Sequence, residues 1–483
     1  MSPLAHRTPY VYFKFTLTLS LLFFALGGGG VALAQEGTSQ AAAARTRYLA
    51  EAGLLPSSRE IVVEEFVNYH RHQIGRPKAG EAVALDVRWG NDRVYGPERE
   101  AVLQVGFSTA LSNERQDLRP INMALVIDKS GSMADLDKIT RVKEALLELV
   151  SELRETDILS IVVFDSTAQV LLPARPIGDK EYVRRLIRSI EPGSSTNIHA
   201  GLMLGYHEAL KNYQRDATNR VILLTDGIAN QGVTDPGQIA RNSLAFNDRG
   251  IDLSTIGVGL DLNKDLLRGL AKSGRGLFHF VGDNEDIRKV FINEVQSLVS
   301  PVAREPNLEI EYDPALELVQ LYGYEPRLRN GLVTIKLDNM NQGLTQVVLM
   351  RFKLSRRVRD NARLPVRVRF TYYDLEQKRQ ITRTEESFVS VAEGARGGML
   401  RDTEVGKNYS IAILAQAIHD MAEAAEARRY PEAESLLTTA IAETYYRYPT
   451  LQDEDISRTL MIARKYQDVI RRYNQQGDPR NNR

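Results

Sequence analysis

At 483 residues the chain is long enough for several domains and a sizeable buried core. Its 62 basic and 62 acidic side chains cancel, so no global field selects nucleic acid or an anionic surface. It has no cysteine, which excludes disulfides, thiolate nucleophiles and cysteine-based zinc sites.

The N-terminus carries His6, Arg7 and Lys14, then an apolar run from Phe15 to Leu26, four glycines and Ala32-Leu33-Ala34. This is the layout of a secretory signal peptide spanning residues 1–34, cleaved after Ala34. The alternative is an uncleaved anchor, since Phe15 to Ala34 is about long enough to span a bilayer. Membrane contact belongs only to that alternative. The small-residue cleavage site favours export to a periplasm or the cell exterior. Residues 35–58 read as a linker holding a short helix around Arg45 to Ala52. Glu60 to His72 reads as helical. His70 and His72, two apart, have the wrong spacing to share a helix face and read as solvated or core histidines.

From Val83 apolar and polar residues alternate, and Val102 to Phe107 follows after a turn-rich gap. With the helix before them, these strands make an N-terminal segment, 59–118. Between 119 and 300 the texture becomes strand, helix, strand, helix. Ala124-Leu125-Val126-Ile127 is a buried strand stopping at Asp128, and Ile139, Val142, Ala145, Leu146, Leu149 and Val150 follow helical spacing. Asp137 is a candidate N-cap for that helix. Ile158 to Phe164 is near-continuous apolar, as a strand covered on both faces requires. Further helices are read at Tyr182–Ile190, Ile198–Tyr213, Ile239–Asn247, Leu266–Ala271 and Ile287–Val299, and strands at Val221–Leu224, Ile251–Ile256 and Gly276–Val281. Such alternation predicts a doubly wound, mostly parallel α/β sheet.

Asp128, Ser130 and Ser132 alternate along one turn, so a tight loop can aim three oxygens at one point. On its own an Asp-Ser-Gly turn also caps helices and builds turns. Two further stretches add to it: Gly193-Ser194-Ser195-Thr196-Asn197, a polar loop before a helix, and Val221 to Thr225, a second buried strand ending in Asp226. Together these stretches resemble the metal-ion-dependent adhesion site (MIDAS) of von Willebrand factor type A (VWA) domains. The resemblance covers roughly Ile121 to Ser300 and implies Asp128, Ser130, Ser132, Thr196 and Asp226 as the coordinating side chains. It also implies an outside protein ligand whose Asp or Glu completes the shell. Oxygen-only donors suit a hard cation, Mg2+, with Mn2+ or Ca2+ as alternatives. Lys129, Asn197 and His199 are the expected partner-binding rim.

After Pro301 the helices stop, and 301–393 reads as alternating strands of a β-sandwich. Because strands also precede residue 118, one β domain interrupted by the type A domain is expected. The arginines between Arg351 and Arg383 alternate with apolar residues, the pattern of a solvated strand face rather than a nucleic-acid groove. Residues 394–404 read as a linker, 405–473 as a three-helix cap rather than a helical repeat, and 474–483 as a disordered tail.

The sequence thus reads as a non-enzymatic, metal-dependent protein-binding or adhesion module of the cell envelope, with no nucleic acid as partner. One alternative is a structural or assembly scaffold with a vestigial metal site. Another is a metal-dependent hydrolase, for which His199 is the nearest base, although no Gly-x-Ser-x-Gly or Walker A motif occurs. The signal-peptide reading predicts that the exported protein begins at Gln35. Mass spectrometry of the exported chain checks this, and retention of Met1 to Ala34 selects the anchor.

Overall fold

The computed structural model describes residues 41–476 apart from 96–99, 111–119, 227–228, 260–261, 282–300, 330, 356–357, 360, 393–399 and 449–452. The signal segment, the Ile287–Val299 helix, the Gly394–Gly398 break and most of the C-terminal tail lie outside the described residues.

The chain enters as helix α1 (Ala41–Glu51), followed by the short α2 (Val63–Val67). The short helix expected around Arg45 to Ala52 is present as α1, but Ala42, Ala43, Ala44, Leu49 and Ala50 are buried, so it is packed rather than part of a loose linker. The helix expected over Glu60 to His72 lasts only five residues, and His70 and His72 follow it in irregular chain. Strands β1 (Val83–Trp89), β2 (Arg93–Tyr95) and β3 (Glu100–Thr109) come next.

The α/β unit begins at β4 (Ile121–Asp128), which runs through a 3-10 stretch, Gly131–Asp137, directly into α3 (Lys138–Glu152). Asp137 therefore lies inside continuous helical backbone rather than ahead of the helix as a cap. Then follow β5 (Ile158–Phe164), β6 (Ala168–Pro176), α4 (Lys180–Arg188), α5 (Ile198–Lys211), β7 (Thr218–Thr225), α6 (Pro236–Asn247), β8 (Ile251–Val258), α7 (Lys264–Ser273) and β9 (Arg275–Val281). They form one six-stranded sheet in the order β6-β5-β4-β7-β8-β9, parallel except for β6 at its edge. The period-2 pleat splits β4 cleanly. Ile121, Met123, Leu125 and Ile127 pack with Ile139, Val142, Leu146 and Leu149 of α3, while Ala124 and Val126 pack with Ile198, Leu202 and Tyr206 of α5. Both faces are covered, which is why β4 is buried along its whole length.

The remaining strands are β10 (Pro301–Tyr312), β11 (Leu316–Leu321), β12 (Arg327–Arg329), β13 (Leu332–Lys336), β14 (Met340–Asn341), β15 (Thr345–Leu354), β16 (Arg363–Asp374) and β17 (Arg379–Ala392). Strands from either side of the α/β unit share sheets. One sheet is ordered β1-β3-β15-β11, and the other β12-β13-β10-β16-β17-β2, with β14 on β10. Leu103, Val105 and Phe107 of β3 and Val348, Met350 and Phe352 of β15 meet Val366, Val368 and Phe370 of β16 in a common core. The two sheets therefore face each other as a sandwich. On the outer face of β16, Arg367 pairs with Glu386 at 2.8 Å and Arg369 with Glu309 at 3.1 Å, so these arginines are engaged across strands.

The other face of the four-stranded sheet is covered by helices α8 (Thr403–Glu426), α9 (Tyr430–Arg447) and α10 (Glu454–Gln476). Val102, Val347 and Leu349 pack there with Tyr409, Ile411 and Ile418. Helix α1 touches both neighbours: Tyr466 of α10 donates to Thr46 O at 2.6 Å, and Tyr48 stacks edge-on to Phe280 of β9 at 6.3 Å.

Close approach of α5 to the sheet depends on two glycines one turn apart. A Cβ at Gly201 would stand 2.5 Å from Phe164 Cδ1, and one at Gly205 would collide with Val126 Cγ2. Gly205→Ala gains just under about 1 kcal/mol of helix propensity but overpacks the core at a cost of about 1–3 kcal/mol. A lower urea midpoint at unchanged m-value is the expected result.

Candidate metal centre

The candidate side chains gather where the parallel strands end. β4 and β7 are hydrogen-bonded neighbours, and each stops at a carboxylate, Asp128 and Asp226. Ligand crevices of open α/β sheets form at this edge. Both carboxylates are almost wholly buried, and each is held by its surroundings. Asp128 Oδ1 accepts from Ser130 N at 2.8 Å, and Oδ2 from Thr225 Oγ1 at 2.5 Å. Asp226 Oδ1 accepts from Ser132 Oγ at 2.8 Å, and Oδ2 meets Lys138 Nζ at 2.5 Å. Ser130 Oγ and Ser132 Oγ lie 3.2 Å apart.

The Thr196 loop is brought in by its backbone. Gly131 N donates to Ser194 O at 2.7 Å, and Gly193 N to Lys129 O at 2.5 Å. Thr196 is itself clasped by Asn230, whose Oδ1 accepts from Thr196 N at 2.8 Å and whose N donates to Thr196 O at 3.1 Å. Thus Ser130, Ser132 and the two aspartates form one hydrogen-bonded group, with the loop carrying Thr196 tied to the same turn.

A family profile described as von Willebrand factor type A domain matches residues 122–293. These residues are a von Willebrand factor type A domain. The YfbK protein of Escherichia coli strain K12 is 30% identical over 293 residues, covering 59% of this chain and 50% of that protein. Inter-alpha-trypsin inhibitor heavy chain H3 of Mus musculus is 31% identical over 203 residues, 40% of this chain and 22% of that one. The chain therefore spans about half the length, or less, of these two relatives. Among solved structures, a von Willebrand factor type A protein from Catenulispora acidiphila aligns at a TM-score of 0.48 with 14% identity, over 79% of this chain and 96% of that one.

The three rim residues of the type A domain are occupied in ways the sequence did not reveal. Lys129 Nζ binds Asp165 Oδ2 at 2.7 Å, so its charge is spent inside the site. Asn197 caps α5, its Oδ1 accepting from Ala200 N at 3.1 Å. His199 Nε2 lies 2.9 Å from Asn242 Nδ2 of α6, and burial lowers its pKa. Since an amide NH2 only donates, His199 Nε2 is the accepting nitrogen.

Four neighbours escaped the sequence reading: Lys138, Asp165, Thr225 and Asn230. Asp165 had a usable signal, because it follows β5 directly, as Asp226 follows β7, and Asp128 ends β4. The Lys129 ammonium, with the Thr167 N–H, holds the Asp165 carboxyl below its ordinary value.

Two buried carboxylates and the Ser130 and Ser132 hydroxyls, with the Thr196 loop tied to the same turn, form an oxygen-only donor set that fits a hard divalent cation. The charge of Asp128 points the same way. Burial pushes its carboxyl up to about 6, against the hydrogen bonds from Thr225 and Ser130 that lower it. An acid raised on folding binds its proton more tightly in the folded state. Its stabilising contribution is complete below the ordinary value of 3.8 and is lost as pH climbs to about 6. In chelator at pH 7.5, Asp128→Asn is expected to melt above the parent, by roughly 3 kcal/mol at about 1.4 kcal/mol per pH unit. At pH 4 the two should converge. Saturating Mg2+ at a hundred-fold excess over Kd should stabilise the parent by about 2.7 kcal/mol and the variant much less. Thermal melts across that pH range check both statements.

Proposed function

We propose that the type A domain binds a partner protein through a Mg2+ ion, whose open coordination position takes an Asp or Glu carboxylate of that partner. Von Willebrand factor type A domains commonly mediate metal-dependent protein–protein interaction and are generally not enzymes. The observation that carries the reading is the hydrogen-bonded joining of Asp128, Ser130, Ser132 and Asp226 at one sheet edge. Those four and Thr196 would hold the ion, with Mn2+ or Ca2+ as substitutes. When bound, the ion supplies a Lewis-acidic position for an anionic oxygen. Two carboxylates balance its charge and three hydroxyls add none, so it remains attractive to a third carboxylate. Lys138 keeps Asp226 neutralised when no ion is there, and Thr225 fixes the rotamer of Asp128. The polar head of His199 is tied to Asn242, and among the described residues no carboxylate is seen to orient it as a general base, which speaks against hydrolysis.

The leader-like N-terminus supports placement outside the cytoplasm, in the envelope or beyond. Among the described residues, no helix is long and apolar enough to cross a membrane.

The reading is tested with the purified mature chain immobilised and exposed to envelope extract in Mg2+ or in chelator. A captured protein should elute with chelator and fail to bind Asp128→Ala. Thr196→Ala should weaken capture less, because it removes a neutral oxygen rather than an anchoring charge. The double variant should cost little more than Asp128→Ala alone, since both act through one ion. Variants that keep the parent's circular dichroism and still capture the same protein would move the binding surface to the sandwich or the helical cap.

A further inference from the structure

A second cluster of ligating side chains lies away from the type A domain, between the chain following α2, helix α8 and the inner sheet of the sandwich. His70 and His72 come together there with ring centroids 4.6 Å apart, and Glu404 of α8 joins them. The side chains of His72 and Glu404 are 0% and 6% exposed, and that of His70 is 6% exposed.

The hydrogen bonds around the rings fix which nitrogen carries the proton. Asn68 Oδ1 accepts from Val347 N at 2.8 Å while its Nδ2 donates to Glu64 O at 3.0 Å, so the amide has one orientation. His72 Nε2, 3.0 Å from that Oδ1, must therefore be the N–H donor. Asn408 Nδ2 donates to Gln104 Oε1 at 2.9 Å and to the Glu404 carboxylate at 3.3 Å, leaving its Oδ1 to accept from His70 Nε2 at 3.0 Å. Each imidazole thus turns a bare Nδ1 lone pair inward, and neither Nδ1 has a hydrogen-bond partner. Metal-bound histidines show this outer arrangement, the far N–H held by an oxygen that fixes the tautomer.

The three inward donors, His70 Nδ1, His72 Nδ1 and a Glu404 oxygen, lie within 4.8 Å of one another. His72 Nδ1 stands 3.5 Å from Glu404 Oε1. That is close to the ligand–ligand edge of about 3.3 Å expected for a tetrahedron with metal bonds near 2.0–2.1 Å. His70 Nδ1 also faces Asp455 Oδ2 at 3.9 Å, which offers a fourth oxygen. The opposing cation, Lys407, is drawn onto Asp455 at 3.0 Å and Asp453 at 3.7 Å. A small cavity lined by His70, Asp455, Arg458 and Ala43 lies beside the cluster.

We propose that His70, His72 and Glu404 form a structural Zn2+ site that clamps the segment after α2 to helix α8. Two imidazoles and a carboxylate suit Zn2+ rather than the oxygen-seeking Mg2+ of the type A edge.

The test uses the full chain, stripped by chelator, equilibrated with Zn2+ and analysed by plasma mass spectrometry. One Zn2+ per chain should survive in Asp128→Ala, which lacks an anchor of the type A edge. It should also survive in His419→Gln, which alters the half-exposed His419–Asp420–Glu423 group on α8. His70→Gln and His72→Gln should lower Zn2+ affinity at least 100-fold. If those variants fail to fold, Co2+ added to the stripped parent should give the intense visible bands of a tetrahedral nitrogen–oxygen site. A parent that takes up no Zn2+, folded His→Gln variants that keep it, loss of it in His419→Gln, or Co2+ bands of an octahedral ion would each overturn the site.

Discussion

Burial of two neighbouring carboxylates at the end of a parallel sheet is the constraint on which the rest of this molecule turns. Asp128 and Asp226 are 0% and 2% exposed, on strands that are direct neighbours. Carboxylates in such a place must be hydrogen-bonded, counter-charged or protonated, because desolvated charge is costly. The structure uses all three remedies. Thr225 and the Ser130 N–H serve Asp128, Ser132 and Lys138 serve Asp226, and Asp128 has moved towards its protonated form. A functional centre spends stability in this way, whereas a purely structural edge would have been filled with apolar side chains.

Around that edge the fold supplies rigidity in layers. Helices on both faces lock β4 and β7, so the aspartates at their ends have no slack. The four-stranded sheet of the sandwich is covered on one face by the second sheet and on the other by helices α8, α9 and α10. Helix α1 contacts both β9 of the type A domain and α10 of the cap. A single short element thus couples the domain that carries the metal edge to the helical layer.

Much of this was written in periodicity and spacing. The alternation of strand and helix from Asn122 to Val281 was legible because the central strands β4, β5 and β7 are buried on both faces and carry near-continuous apolar runs. Asp128-x-Ser130-x-Ser132 was legible because its residues share one turn. What escaped depends on partners distant in sequence. Nothing near Lys138 in the chain marks it as the partner of Asp226, 88 residues on. The short helix in the 35–58 segment was legible, but its packing was not, because alanines bury little area and carry no strong pattern, although four of those in α1 are buried. Strand β6 was missed because Pro173 and Pro176 argue against a strand, yet an edge position tolerates them. The histidine pair was dismissed on helical spacing, a rule that does not apply to the irregular chain where His70 and His72 lie.

The two polar centres differ in how they treat charge, and the difference explains their places in the fold. At the type A edge the donors are anionic or hydroxylic, and an ammonium already leans on one of them. The ion proposed to bind there would displace or share with Lys138, so its binding would be a competition between a monovalent and a divalent cation for Asp226. Competition of that kind would make occupancy sensitive to ion concentration, in keeping with the proposed reversible contact with a partner. Beneath α8 the donors are the Glu404 carboxylate and two imidazoles whose Nε2 protons are already placed on Asn68 and Asn408, and the surrounding amides leave little freedom to rearrange. A cation held there would close a polar gap inside the core rather than present itself outward. On these two proposals the sheet-edge site would exchange its ion and the inner site would retain one.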